Sequence, residues 1–104
     1  MASSKEYLEF VLEQLSELDD VSFKPMMGEY LLYDRGKLFG GIYDDRFLVK
    51  IVKASESRLP DAPREIPYLG AKEMLLVDNV EDRLFLKELV EGMLPELPAP
   101  KKKK

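Results

Sequence analysis

The chain has 104 residues, enough for one hydrophobic core that needs no metal or disulfide. It contains no cysteine and no histidine, which excludes thiolate nucleophiles, the usual zinc sites and imidazole acid–base catalysis. The formal net charge is −4, and the chain without Lys101–Lys104 carries 12 basic against 20 acidic residues, so we expect no direct binding to DNA.

The N-terminal residues lack the pattern of a signal peptide, because Met1–Ser4 leads directly into Lys5 and Glu6. No uninterrupted apolar run in the sequence approaches the length that a membrane-spanning helix needs. Together with the absence of cysteine, these features predict a cytoplasmic protein that does not associate with membranes.

The first predicted element is a helix from about Ser4 to Leu18. Ser3 and Glu6 have the spacing of a capping box, in which two side chains satisfy free N–H groups at a helix start. Apolar residues then recur at helical spacing: Leu8, Val11, Leu12, Leu15 and Leu18. The opposite side carries Glu6, Glu9, Glu13 and Glu17. These glutamates indicate a solvated face or, as the alternative, an acidic docking surface.

A meander of three strands is predicted over residues 27–33, 38–43 and 47–52. The first turn lies at Gly36, where glycine supplies the positive φ of a tight hairpin. That hairpin is either a two-residue loop or a type I turn with a bulge. The second turn lies at residues 44–46.

Two features beside and within the meander leave alternatives open. Residues 21–23 are predicted to form either a short strand or a linker. Gly40 and Gly41 lie side by side in the second meander strand and indicate a β-bulge or the close approach of another backbone.

The segment after the meander is rich in proline. Residues 53–59 favour one helical turn or a short helix. Pro60, Pro63 and Pro67 then predict an extended, irregular segment, which we call the Pro-rich loop, residues 60–70. A loop of this length in a small domain is either functional or an evolutionary remnant.

Residues 73–77 predict a fourth strand, and Asp78 followed by Glu81 resembles a second capping arrangement. The helix behind it carries apolar residues at helical spacing and ends before Pro95. The predicted fold is therefore α+β, an antiparallel four-stranded meander-based sheet with N- and C-terminal helices packed on it. We expect a single domain over residues 1–97 and a flexible tail of proline and lysine over residues 98–104.

The predicted strands carry apolar residues on both faces, so two helices on one face would leave a second face bare. The candidate interaction residues of that second face are Tyr33, Tyr43, Leu48, Lys50 and Tyr68. We expect the Pro-rich loop, a second copy of the chain in a homodimer, or a functional partner to cover it. On this view, glutamate at Tyr43 or Leu48 alters association more than stability.

The meander also carries a resemblance to a known family. A helix, MMGEYLLY, an Asp–Arg–Gly–Lys turn and LFGGIYDDRFLVK follow one another in the order that resembles the N-terminal domain of the TfoX family, regulators of competence. The resemblance covers most of the chain, and residues 26–29 are Met-Met-Gly-Glu where the family usually has Met-Phe-Gly-Gly. Longer members continue into a second, helical domain. The resemblance implies an α+β fold, a cytoplasmic bacterial setting and contact with another regulator, with no reaction.

These observations predict a non-enzymatic protein-interaction module related to transcriptional co-regulators of competence, acting through a protein partner such as a transcription regulator. We expect no catalytic residue, cofactor or metal ligand, since acid–base catalysis would rest on Asp, Glu, Lys or Tyr alone. The alternative is a small-molecule or peptide-binding domain that uses the Pro-rich loop, Tyr68 and the meander aromatics as a pocket.

Overall fold

The structure is a computed structural model that describes residues 4–98. Over these residues the chain forms the helices α1 (Lys5–Gln14), α2 (Lys53–Arg58) and α3 (Arg83–Met93), with a 3-10 turn at Leu94–Glu96. The strands are β1 (Val21–Met26), β2 (Glu29–Asp34), β3 (Lys37–Tyr43), β4 (Arg46–Val49), β5 (Arg64–Glu65) and β6 (Met74–Leu76). They form one antiparallel sheet in the order β1-β2-β3-β4-β6-β5. The predicted α+β class is confirmed.

The sheet has six strands within residues 4–98, where the sequence predicted four. β1 is an edge strand, and it accommodates Pro25 because one row of its backbone groups has no partner strand. β5 lies inside the Pro-rich loop and pairs with β6 at the opposite edge of the sheet. Its two residues are too few to show an alternating pattern in the sequence.

Strands β1 to β4 are joined by three hairpins, and each hairpin closes with a two-residue loop. The central residues of all three loops have positive φ: Met27 (53°) and Gly28 (87°), Arg35 (55°) and Gly36 (79°), and Asp44 (54°) and Asp45 (57°). Positive φ at both positions defines the turn that matches the twist of paired strands. The positive φ predicted for Gly36 is confirmed. The loop at Met27 was not predicted, because Met27 continues an apolar run in the sequence.

The predicted bulge is present in β3. Leu32 pairs with Gly40 and Tyr33 pairs with Leu38, so Phe39 between them has no partner across the ladder. The two glycines also lie against other backbone: a Cβ on Gly40 would overlap the carbonyl oxygen of Leu48, and one on Gly41 would lie 2.6 Å from that of Tyr30. The glycine pair therefore lies beside a β-bulge and also allows the close approach of neighbouring backbones.

The first helix begins and ends at different residues from those predicted. The side chain of Ser4 accepts a hydrogen bond from the N–H of Tyr7 at 3.1 Å and caps α1. The predicted cap, Ser3, lies outside the described residues. The helix ends at Gln14 rather than Leu18, although Leu18 is still buried in the turns that follow.

The cap of the last helix also lies further along the chain than predicted. Asp82 accepts a hydrogen bond from the N–H of Phe85 at 3.0 Å and starts α3. Asp78, the predicted cap, lies in the loop between β6 and α3. The helix ends before Pro95 as predicted, and the 3-10 turn follows.

The main core lies between the helices and one face of the sheet. It contains Leu8, Val11 and Leu15 from α1 and the residue that follows it, Leu86, Leu89, Val90 and Met93 from α3, and Leu32, Phe39, Ile42, Phe47, Val49 and Leu75 from the strands. Phe39 and Phe47 meet edge to face, with ring centroids 6.5 Å apart. The helices thus cover one face of the sheet, as the sequence predicted.

The start of the short helix α2 is hydrogen-bonded to the C-terminal segment. The Glu96 carboxylate accepts hydrogen bonds from the backbone N–H groups of Lys53 at 3.0 Å and Ala54 at 2.9 Å. These N–H groups are free at any helix start, so a carboxylate from the far end of the chain satisfies them. No helix within residues 4–98 is long and apolar enough to cross a membrane.

Candidate binding groove on the second face of the sheet

The face of the sheet opposite the helices, which we call the second face, has a small core of its own. Tyr43, Leu48 and Met74 are buried there, and Leu31 and Leu76 pack against them. The exposed fraction is 4% for Tyr43 and 0% for Leu48. Tyr43 and Leu48 are therefore buried within the chain and are not exposed on a bare face.

The Pro-rich loop folds back over this cluster. Pro67 is buried, and the ring of Tyr68 lies against that of Tyr43 with centroids 6.1 Å apart. Of the three covers considered from the sequence, the Pro-rich loop covers part of the second face within a single chain. Burial of Tyr43 and Leu48 needs neither a second copy nor a partner.

Arg46 fastens the Pro-rich loop to the sheet. Its Nε donates to the carbonyl oxygen of Tyr43 at 3.0 Å, which orients the guanidinium. Its Nη1 donates to Glu65 Oε1 at 2.5 Å, and its Nη2 lies 3.5 Å from the carbonyl oxygen of Pro67. A guanidinium suits this role because its donors form a rigid fork.

The cover is incomplete and leaves a groove of about 650 Å³ between the sheet, the Pro-rich loop and the C-terminal segment. Apolar and aromatic side chains form most of its surface. The groove is lined by Met26, Leu31, Leu38, Gly40, Tyr43, Ile51, Val52, Pro67, Tyr68, Ala71, Met74, Leu97 and Pro98, and by the charged residues Lys50, Lys72, Glu73 and Glu96.

Tyr43 contributes a phenol that stays protonated near neutral pH. Burial, together with smaller effects of the neighbouring Tyr68, Glu29 and Tyr33, raises the pKa of Tyr43 to about 12. A phenol with such a pKa can donate or accept a hydrogen bond, but it is a poor general base at neutral pH.

Three of the five candidate interaction residues meet in the groove: Tyr43, Lys50 and Tyr68. Leu48 lies beneath it, in the buried cluster. Tyr33 lies on the same face, paired with Leu38 and half-buried, but outside the groove lining.

No sequence pattern predicted that the C-terminal segment forms one side of the groove. Leu97 and Pro98 line the groove, as does Met26 from the opposite edge of the sheet. Alternation along β2 could identify Leu31 as a residue of the second face, but no local pattern brings residues 97 and 98 to it. Their position depends on the path of the chain after α3.

Residues 4–98 contain no cluster of three or more carboxylate, histidine or cysteine side chains that could hold a metal ion. Two of the charged groups in the groove lining are carboxylates, and that of Glu96 already caps α2. The lining thus offers apolar contact, hydrogen-bonding phenols and ammonium groups.

Comparison with known proteins places the chain among its relatives. The family model described as the TfoX N-terminal domain matches residues 13–81. The chain belongs to the TfoX N-terminal domain family. The matched segment contains the whole sheet and the Pro-rich loop, and it ends before α3 and the C-terminal wall of the groove.

A curated relative extends the similarity over the full chain. A protein of Spirochaeta aurantia, described as "Uncharacterized 12.7 kDa protein in trpE 5'region", is 33% identical over 105 residues. The match covers 100% of this chain and 91% of the relative. No solved structure matches the chain.

Proposed function

We propose that this member of the TfoX N-terminal domain family is a non-enzymatic binding module and that its groove receives an apolar segment of a protein partner. The observation that carries the proposal is the groove itself, an open and mostly apolar concave surface on the second face. Ile66, Tyr68 and Leu69 on the adjoining Pro-rich loop are exposed, and Leu69 is fully so. Exposed apolar side chains around a concave apolar surface are typical of interaction sites.

The proposal assigns the partner to transcription regulators, because the family resembled by the meander consists of regulators of competence. It assigns no reaction to the groove. The Glu96 carboxylate is held by the backbone of α2, and a pKa of about 12 keeps the Tyr43 phenol protonated near neutral pH, where it is not available as a general base.

A small molecule is the second candidate for the groove. A volume of about 650 Å³ lies within the range of small-molecule sites, which are also mostly apolar with a few polar groups. A thermal-shift screen against metabolites tests this candidate, since a ligand at 100 times its dissociation constant stabilises a protein by about 2.7 kcal/mol.

Selection of short random peptides displayed on phage tests the leading proposal. We expect the wild-type chain to enrich peptides rich in apolar residues, and two groove variants to lose them. Tyr68→Ala removes a wall of the groove, and Ala71→Trp fills its space. Leu84→Ala is the matched control, because Leu84 is an exposed apolar residue of α3 and lies outside the groove lining.

Thermal melts should show that all three variants remain folded. Loss of peptide binding in both groove variants, with binding retained by the control, is the expected pattern. Equal peptide binding by all four proteins would place the interaction elsewhere on the surface and overturn the proposal. Sedimentation of the wild-type chain provides the separate test of a homodimer.

A further inference from the structure

Two lysines in the groove lining, Lys50 and Lys72, have no ion-pair partner among the residues that the structure describes. By contrast, every arginine in the described part of the chain has an ion-pair partner. Each lies within 4.0 Å of a carboxylate: Arg35, Arg46, Arg58, Arg64 and Arg83. The positive charge at the groove is therefore available to a ligand, whereas that of the arginines is already paired.

The carboxylates of the groove do not cancel this charge. Both oxygens of Glu96 accept hydrogen bonds from the start of α2, where the backbone N–H groups already favour a negative charge. Glu73 is the other carboxylate of the lining. The lining thus holds two ammonium groups and one carboxylate, that of Glu73, that has no such backbone partner among residues 4–98.

Four further lysines follow the groove in the sequence. Pro98 lines the groove, and Lys101–Lys104 begin three residues later. In the sequence, four positive charges thus follow this groove residue, in a chain whose other residues are predominantly acidic.

We propose that the groove selects apolar segments that carry acidic residues beside the apolar ones. The inference rests on the proposed function and adds the charge of the partner. The apolar side chains of the segment would lie against Leu31, Leu38 and Met74, while its carboxylates would lie beside Lys50 and Lys72. Charge pairs of this kind contribute mainly to the choice of partner and the rate of association.

The overall negative charge of the protein does not oppose this selection under cellular conditions. Charges further apart than the Debye length of about 8 Å are largely screened at physiological ionic strength. A bound carboxylate therefore responds mainly to the ammonium groups beside it. The glutamates of α1 lie on a helix that packs against the other face of the sheet.

The test uses the same library of short random peptides and compares the composition of the selected pool with that of the starting library. Wild-type protein should enrich both apolar and acidic residues. The double variant Lys50→Gln/Lys72→Gln should retain the apolar enrichment and lose the acidic enrichment. Lys5→Gln/Lys87→Gln changes the net charge by the same amount on α1 and α3, and should behave as wild type.

A fluorescently labelled peptide from the wild-type pool then gives the size of the effect. We expect the groove double variant to bind it about twofold to thirtyfold more weakly, the range for two exposed charge pairs. In about 1 M NaCl, where the Debye length is about 3 Å, the two proteins should bind it equally. Replacing Lys101–Lys104 by glutamine measures the contribution of the tail separately.

The outcomes separate the two proposals. No apolar enrichment by the wild-type chain contradicts the proposed function itself. Apolar enrichment without acidic enrichment leaves that function intact and overturns the inference about charge. The inference would also be overturned if the groove double variant kept the acidic enrichment and only replacement of the tail lysines removed it. Lys50 and Lys72 would then not contribute to the preference for acidic residues.

Discussion

Asp34 is the last residue of β2, and only 1% of its surface is exposed. Its Oδ1 has no hydrogen-bond partner among the described residues, whereas the backbone N–H of Asp20 donates to the carboxylate. Burial raises the pKa of this carboxyl above its ordinary value, and the charges of Asp20 and Glu91 add to the effect while Arg35 opposes it. A buried acid with one unsatisfied oxygen weakens the fold when it ionises.

The stability of the protein should therefore depend on pH through Asp34. A carboxyl with a raised pKa keeps its proton in the folded state at pH values where the unfolded chain has lost it. Its contribution to the free energy of unfolding is fully present below the ordinary value of 3.8 and is lost as the pH rises through the raised value. Asp34→Asn lacks this titration, and its amide oxygen can still accept from Asp20.

Urea unfolding of both proteins over a series of pH values measures the effect. The free energy of unfolding of the wild type minus that of Asp34→Asn should decrease as the pH rises across this window and then become constant. A difference that stays flat, or that increases with pH, would show that the folded state does not hold this proton.

The Pro-rich loop is an element without regular structure apart from β5, and its order comes from contacts with the sheet. Arg46 bonds to Glu65 and to the Pro67 carbonyl, and the N–H of Leu76 donates to the carbonyl oxygen of Pro63 at 2.9 Å. The side chains of Arg46 and Glu65 are 29% and 32% exposed, so water screens their interaction only in part. These contacts give a proline-rich segment one position over the second face.

Arg46→Ala should loosen the Pro-rich loop while leaving the main core folded. We expect faster amide hydrogen exchange at Leu76 and a loss of about 1.5–3 kcal/mol in the free energy of unfolding, the range for hydrogen bonds to a charged group. Arg64→Ala is the control, because the ion pair of Arg64 with Glu56 is more exposed and should contribute little. Equal hydrogen exchange at Leu76 in both variants would show that Arg46 does not hold the loop.

At the scale of the whole molecule, one sheet supports two unequal cores. The helices close the larger one, and the Pro-rich loop closes the smaller one around Tyr43, Leu48 and Met74. A sheet with apolar residues on both faces must cover both of them, and a small chain has few elements with which to do so. The groove is the part of the second face that the Pro-rich loop borders but does not cover.

The position of Leu48 reverses the effect expected from the sequence for a charged substitution. Leu48→Glu should reduce the free energy of unfolding by more than the roughly 2–5 kcal/mol that truncation of a buried leucine costs, because it buries a carboxylate without a partner. Tyr68→Glu, at a half-exposed position, should cost much less. Thermal and urea unfolding of both variants decide the matter. A Leu48→Glu protein as stable as wild type would show that the second core does not form.

Local sequence predicted those parts of the fold that depend on neighbouring residues. The positive φ at Gly36, the bulge at Gly40 and the apolar stripes of α1 and α3 follow from the chemistry of a few adjacent side chains. The sequence did not determine the position of the first helix cap, because Ser3 and Ser4 carry the same hydroxyl, and only the path of the backbone places Ser4 at the start of α1.

The sequence by itself thus determined the meander of β2, β3 and β4, the two turns that join these strands, the two amphipathic helices and the family. Only the tertiary structure decided how the second face is covered, and which residues form the groove. Pro67 lies over the sheet because Arg46 holds it there, and Glu96 reaches the start of α2 across 43 residues of sequence. Contacts between distant segments depend on how the whole chain packs around the twisted sheet, and no local pattern of residues encodes them.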